Sequence, residues 1–158
     1  MFLRTSILLG VTAAAFAAAG CGGAGGDDSG NSGGDRLSKA EYGTRLSAIC
    51  KDYNDYTSSL DDPSSMNEIK PWIDKVVPRF EDAISDAKKL NPPVDLQDEH
   101  DEFLSVADDE TDVLQDIGAA ADANDQKKLL DLEQQGTDLD TRSDKLAHQL
   151  GANECAAG

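Results

Sequence analysis

The sequence predicts an all-α fold: a four-helix, up-down-up-down bundle closed by one disulfide, with an export signal and a flexible tether ahead of it. Three observations carry this expectation. From residue 37 onward, apolar side chains recur at intervals of three and four, the period of a helix with one buried face. No window alternates like a half-buried strand between hairpin turns. The helical stretches are separated by short breaker clusters, Asp61-Asp62-Pro63, Asn91-Pro92-Pro93 and Ala123-Asn124-Asp125, and connections this short favour antiparallel neighbours.

The chain has 158 residues, 31 Asp+Glu against 14 Lys+Arg, and a formal charge of −17. That length suits one domain after a processed segment and excludes a large multidomain enzyme. The acid excess argues against nucleic acid and against charge-driven binding to an anionic membrane. With 39% hydrophobic residues the chain still has material for a core.

Residues 1–20 read as a signal peptide. Arg4 supplies the basic start, residues 6–19 are apolar or small, and such a run is shorter than the about twenty residues a spanning helix needs. The run ends Ala18-Ala19-Gly20-Cys21, which looks like a bacterial lipobox, except that Ala18 stands where those signals usually carry Leu. On that reading Cys21 becomes the mature N-terminus and receives a diacylglyceryl group with fatty acyl chains such as palmitate. The membrane is then reached through this anchor, and the protein is expected on the outer face of the cytoplasmic membrane or elsewhere in the cell envelope. The alternative is ordinary cleavage after an Ala-x-Ala site, which leaves Cys21 free. Residues 21–35 continue as GGAGGDDSGNSGGD after the cysteine, a composition that cannot bury enough surface to fold and spans about 20 Å as a coil.

The helical domain is placed at residues 36–158. Its first helix starts at Ser38, whose partner Glu41 completes a capping box, and carries the stripe Tyr42, Leu46, Ile49, Tyr53, Tyr56, Leu60. A second capping box, Ser65 with Glu68, opens the next helix, which buries Met66, Ile69, Ile73, Val76, Phe80, Ile84, Ala87 and Leu90. The third is expected from Asp95, burying Leu96, Phe103, Ala107, Leu114 and Ile117. The fourth, capped by Asp125, buries Leu129, Leu132, Leu139, Leu146 and Leu150 and stops at Gly151.

Three cysteines leave one unpaired in an exported protein unless one is modified. Lipidation of Cys21 leaves Cys50 and Cys155 to pair in an oxidising compartment, the alternative being two separate thiols. An extended tail of about 13 Å after Gly151 would have to fold back along the first helix to make the bond. Ala48-Ile49-Cys50, Leu90-Asn91-Pro92-Pro93 and Leu150-Gly151 followed by Cys155 resemble small actinobacterial lipoproteins of unknown function. The resemblance implies a bridged pair, mapping onto Cys50 and Cys155, and implies no activity, ligand or cofactor.

Motifs for chemistry find no support: there is no GxxxxGK[ST] phosphate loop and no HExxH, and the one GxSxG (residues 30–34) and one GxGxxG (residues 20–25) fall in the Gly-rich tether and at its start, where Ser32 has no fixed base. A di-iron bundle needs Glu three residues before each histidine, but His100 and His148 follow Gln97 and Lys145 at that spacing. No catalytic site and no cofactor are therefore expected. Ten acids and no Lys or Arg fall within residues 95–116. Asp98, Glu102 and Asp109, with His100, are the candidates for a divalent metal, set against a solvated acidic face that would steer a basic envelope protein or peptide. Pro71 and Pro78 in the second helix, beside the single tryptophan Trp72, suggest a kink that opens a ligand cleft, or simply a bent helix or two short ones. The expectation is a lipid-anchored, non-catalytic binding or scaffolding module. The alternative is a small-ligand or metal-binding lipoprotein using the acidic third helix or the kinked second.

Overall fold

A computed structural model of the chain describes residues 36–156, so the expected signal, Cys21 and the tether lie outside the described residues. Every regular element among those residues is helical: α1 (Lys39–Ser58), α2 (Met66–Ala87), α3 (Gln97–Asp122) and α4 (Gln126–Leu150). Single tight turns of helix add Val94–Leu96 before α3 and Asn153–Ala156 after α4.

The helix ends follow local hydrogen-bond chemistry. At α1 the capping box forms in both directions: Glu41 N–H donates to Ser38 Oγ and Ser38 N–H donates to the Glu41 carboxylate. At α2 the box moves by one residue. Ser65 makes no side-chain cap, and Glu68 instead accepts from the backbone N–H and the hydroxyl of Ser64 at 2.8 and 2.9 Å. At α3 the expected start at Asp95 falls inside the tight turn, and the α-helix begins two residues later. At α4, Asp125 accepts from Lys128 N–H at 3.0 Å, and Gly151 closes the helix at φ 72°, the left-handed conformation that glycine adopts without strain. Pro71 and Pro78 both lie inside the single helix α2.

In the helical bundle, α3 packs against both α2 and α4, while α1 rests mainly on α2 and on the C-terminal turn. The segment before α1 is tied to the α2–α3 connection. Leu37 N–H donates to Asn91 O at 3.0 Å, and Arg36 Nη1 donates to Pro92 O at 2.8 Å. The core is divided. One cluster joins Tyr42 and Leu46 of α1 to Phe103 and Val106 of α3 and to Leu146, Ala147 and Leu150 of α4. The other gathers Val113, Ala120 and Ala121 of α3 with Leu129 and Leu132 of α4.

Cys50 and Cys155 form a disulfide, with their Cα atoms 5.0 Å apart and 105 residues between them in sequence. The extended tail expected from the sequence is not how the chain gets there. The end of α4 meets α1 at Gly43, where an added Cβ would lie 2.7 Å from Gly151 O. From that crossing, the seven residues to Cys50 cover only about 10 Å of helix, so a compact turn over Asn153–Ala156 suffices. Asn54 Nδ2 holds the turn by donating to Glu154 O at 2.9 Å. A bridge closing so long a loop stabilises by about 2–4 kcal/mol.

The Gly43 contact yields a sign test. In an isolated helix, alanine is better than glycine by about 1 kcal/mol. Here Gly43→Ala places a methyl against the α4 backbone, and overpacking of this kind costs about 1–3 kcal/mol. The expected outcome is a lower urea midpoint for Gly43→Ala, and a higher one would show that the crossing has room.

Candidate functional site

Between the two core clusters the helices enclose a cavity of about 270 Å³. Its origin is visible on α4: between Leu132 and Leu146 of the two clusters, Leu139 packs against both, but the positions lining the cavity carry Gly136, Ser143 and, at its exposed edge, Asp140. These side chains are too short to cross to α1. The opposite wall comes from Ile49, Cys50, Tyr53 and Asn54 of α1, and Phe80, Ala83 and Ile84 of α2 line a third side. From α3 come Ala107, Glu110, Val113, Leu114 and Ile117, and Cys155 closes one end beside its partner Cys50. Tyr53, Phe80, Leu114 and Ile117 stay partly accessible, so the cavity reaches the surface. A void of about 150 Å³ with hydrocarbon walls already accepts a benzene-sized guest, so this one has room for a small organic molecule.

One side of the cavity is polar and acidic. Burial pushes the Glu110 carboxyl up to about 7, and the charges of Asp140, Asp144 and Asp109 push it the same way. The Ser143 hydroxyl, donating to it, opposes the shift. Burial and then Asp144 also raise Asp140. Across the cavity, burial and the Glu110 charge raise the Tyr53 hydroxyl to about 12. The Tyr53 ring packs tilted against Phe80, centroids 5.0 Å apart. Among the described residues no lysine, arginine or histidine lines the cavity.

The residues singled out from the sequence lie elsewhere, apart from the cysteines. His100 is buried and its Nδ1 is 2.7 Å from Tyr42 Oη, an edge-on pair in which burial lowers the imidazole pKa. Glu102 accepts from Arg142 at 2.8 Å, Asp98 lies in the same surface depression, and Asp109 is exposed. Among the described residues no three His, Cys, Asp or Glu side chains are grouped to hold a metal ion. The acidic stretch of α3 and its preceding turn is cross-linked by cations from elsewhere: Lys39 to Asp95, Lys88 to Asp108, Lys128 to Asp116 and Arg142 to Glu102, at 2.7–3.1 Å. Pro78 is exposed at a shallow depression between α2 and α3, and half-buried Trp72 is not part of the cavity lining. The buried Trp72 Nε1 has no hydrogen-bond partner among the described residues.

Two signals in the sequence mark the cavity. Glu110 falls on the α3 stripe, in register between Ala107 and Leu114, where the pattern demands an apolar side chain. Gly136 and Ser143 interrupt the α4 stripe in the same way. Polar or missing side chains at stripe positions of facing helices mark a void rather than a solvated face. With this geometry in view, the chain matches no protein-family model, no curated protein and no solved structure.

The raised Glu110 carboxyl fixes the sign of a pH effect. Its folded value of about 7 lies above the ordinary 4.5, so the native state binds the proton more tightly than the unfolded chain does. The stability from that proton is complete below about pH 4.5 and is lost as pH rises through 7. Glu110→Gln, which stays neutral, is expected to flatten this dependence and to gain about 1–3 kcal/mol over the native chain at pH 8. Urea unfolding at pH 5 and pH 8 reads it, and parallel losses in both proteins would contradict it.

Proposed function

We propose that this chain is an exported, lipid-anchored protein whose helical domain holds a small, largely apolar ligand without transforming it. On this reading residues 1–20 are the signal, 21–35 the lipidated Cys21 with its tether, and 36–158 an up-down-up-down bundle akin to small actinobacterial lipoproteins. The observation that carries the binding role is the cavity of about 270 Å³ between the two core clusters. A domain built only as a scaffold gains nothing from dividing its core, since unfilled volume costs stability. The Cys50–Cys155 bridge supports an oxidising compartment outside the cytoplasm. Holding is favoured over turnover through an anionic transition state because, among the described residues, no cationic side chain lines the cavity to stabilise developing negative charge. Binding a basic envelope partner through the acidic face of α3 is less favoured, because cations of other elements already engage three of its carboxylates and Asp95 in the turn before it.

Two experiments test the two halves of this proposal. Radiolabelled palmitate is expected to label the expressed chain, and Cys21→Ser is expected to abolish both the label and membrane fractionation. An unlabelled native chain found only in the soluble fraction would refute the anchor. For the cavity, Gly136 offers a variant that should fold, since a Cβ built there meets only Val113 Cγ1, at 3.8 Å. Gly136→Leu is expected to raise helix stability by about 1 kcal/mol. It should also weaken saturable binding of a neutral cyclic alcohol such as cyclohexylmethanol at least tenfold by filling the space. Equal binding by both proteins would place any ligand elsewhere.

A further inference from the structure

We propose that the cavity selects an organic cation, an apolar body seated in the hydrocarbon lining with an ammonium group set against Glu110 and Asp140. This deepens the binding role proposed above and rests on it. The walls from α1 and α2 are hydrocarbon and aromatic, so they recognise shape and apolar area. The α3–α4 side carries carboxyl groups only. Glu110 and Asp140 both line the cavity, with Asp144 and Asp109 close enough to act on Glu110. Among the described residues no cation lines the cavity, although Lys88, Lys128 and Arg142 pair with Asp108, Asp116 and Glu102 on the outer side of α3. Glu110, with Asp140 at the exposed rim of the cavity, is therefore left for a guest. A neutral guest would take water from Glu110 and return no compensating charge, and an anionic guest would meet several like charges. An ammonium group supplies the missing donors and the opposite charge at once.

The groups that face Glu110 set the pH response. They are Tyr53 from α1, Asp140, Ser143 and Asp144 from α4, and Asp109 from α3 itself, whereas the lining of α2 contributes Phe80, Ala83 and Ile84 and nothing titratable. The raised carboxyl of Glu110 takes up a proton as pH falls through about 7, and that proton competes with the ammonium group. Cation preference is thus strongest at pH 8 and shrinks toward pH 5.

The test uses three probes of matched shape, cyclohexylmethylamine, cyclohexylmethanol and cyclohexanecarboxylate, added to the full chain with its alanine methyl groups labelled for NMR. Ala83, Ala87 and Ala107 line the cavity and report its occupancy directly. At pH 8 the amine is expected to bind about tenfold or more tightly than the alcohol, the carboxylate to give no saturable shift, and the amine's advantage to shrink at pH 5. Glu110→Gln should bring amine and alcohol to within a few-fold of each other while alcohol binding persists. Equal affinities for amine and alcohol in the native chain, or tighter binding of the carboxylate, would overturn the cation proposal and leave the cavity reading standing. No saturable shift at these methyls from any probe would overturn both.

Discussion

The crossing of α4 over α1 at Gly43 is the constraint on which the rest of the domain depends. An added Cβ at this position would lie 2.7 Å from a backbone oxygen, so only glycine lets the two backbones come this close. The approach buries Tyr42 and Leu46 completely on either side of the contact and sets the Tyr42 hydroxyl 2.7 Å from His100 Nδ1 of α3. It also delivers the chain end to within one compact turn of Cys50. The disulfide thus fastens a geometry that close packing has already defined.

Because α1 is clamped through its first turns, its later residues are not forced into the same contact. Ile49, Tyr53 and Asn54 face a space that α4 does not fill, since Gly136 and Ser143 stand where large apolar residues would close it. The void and the tight cluster are two outcomes of one arrangement. Surface ion pairs contribute little to holding it, for the pairs along α3 are half exposed and each is worth at most about 1 kcal/mol. Their consequence is in the charge distribution: Asp108, Asp116 and Glu102 on the outer side of α3 meet lysine or arginine, whereas Glu110 in the cavity meets Ser143, Tyr53 and other acids.

A carboxyl held at an apolar wall near its midpoint at neutral pH is costly to the fold, and the cost is informative. Burial is the largest cause of the Glu110 shift, so the group would be stabilised by whatever returns charge or hydrogen bonds to it. A proton does this at low pH, and a cation would do it without one. The cavity thereby couples proton uptake to occupancy through a single side chain. Surrounding helices hold that side chain in place, so no separate moving element is required.

Much of the fold was legible from local chemistry. Helical periodicity, the Ser38–Glu41 box, the Asp125 cap and Gly151 are short-range signals, each complete within about one turn of helix. The Cys50–Cys155 pairing followed from cysteine arithmetic. The local signals failed where two serines competed for one glutamate, at Ser64 and Ser65, and where a tight turn replaced the first residues of α3. The candidate site was harder to see. Glu110 was one acid among ten until α1, α2 and α4 surrounded it, and Gly43 was an ordinary residue until α4 crossed it. Periodicity determines which face of each helix turns inward. Whether facing side chains are long enough to meet depends on the distance between helices, and packing alone decides that.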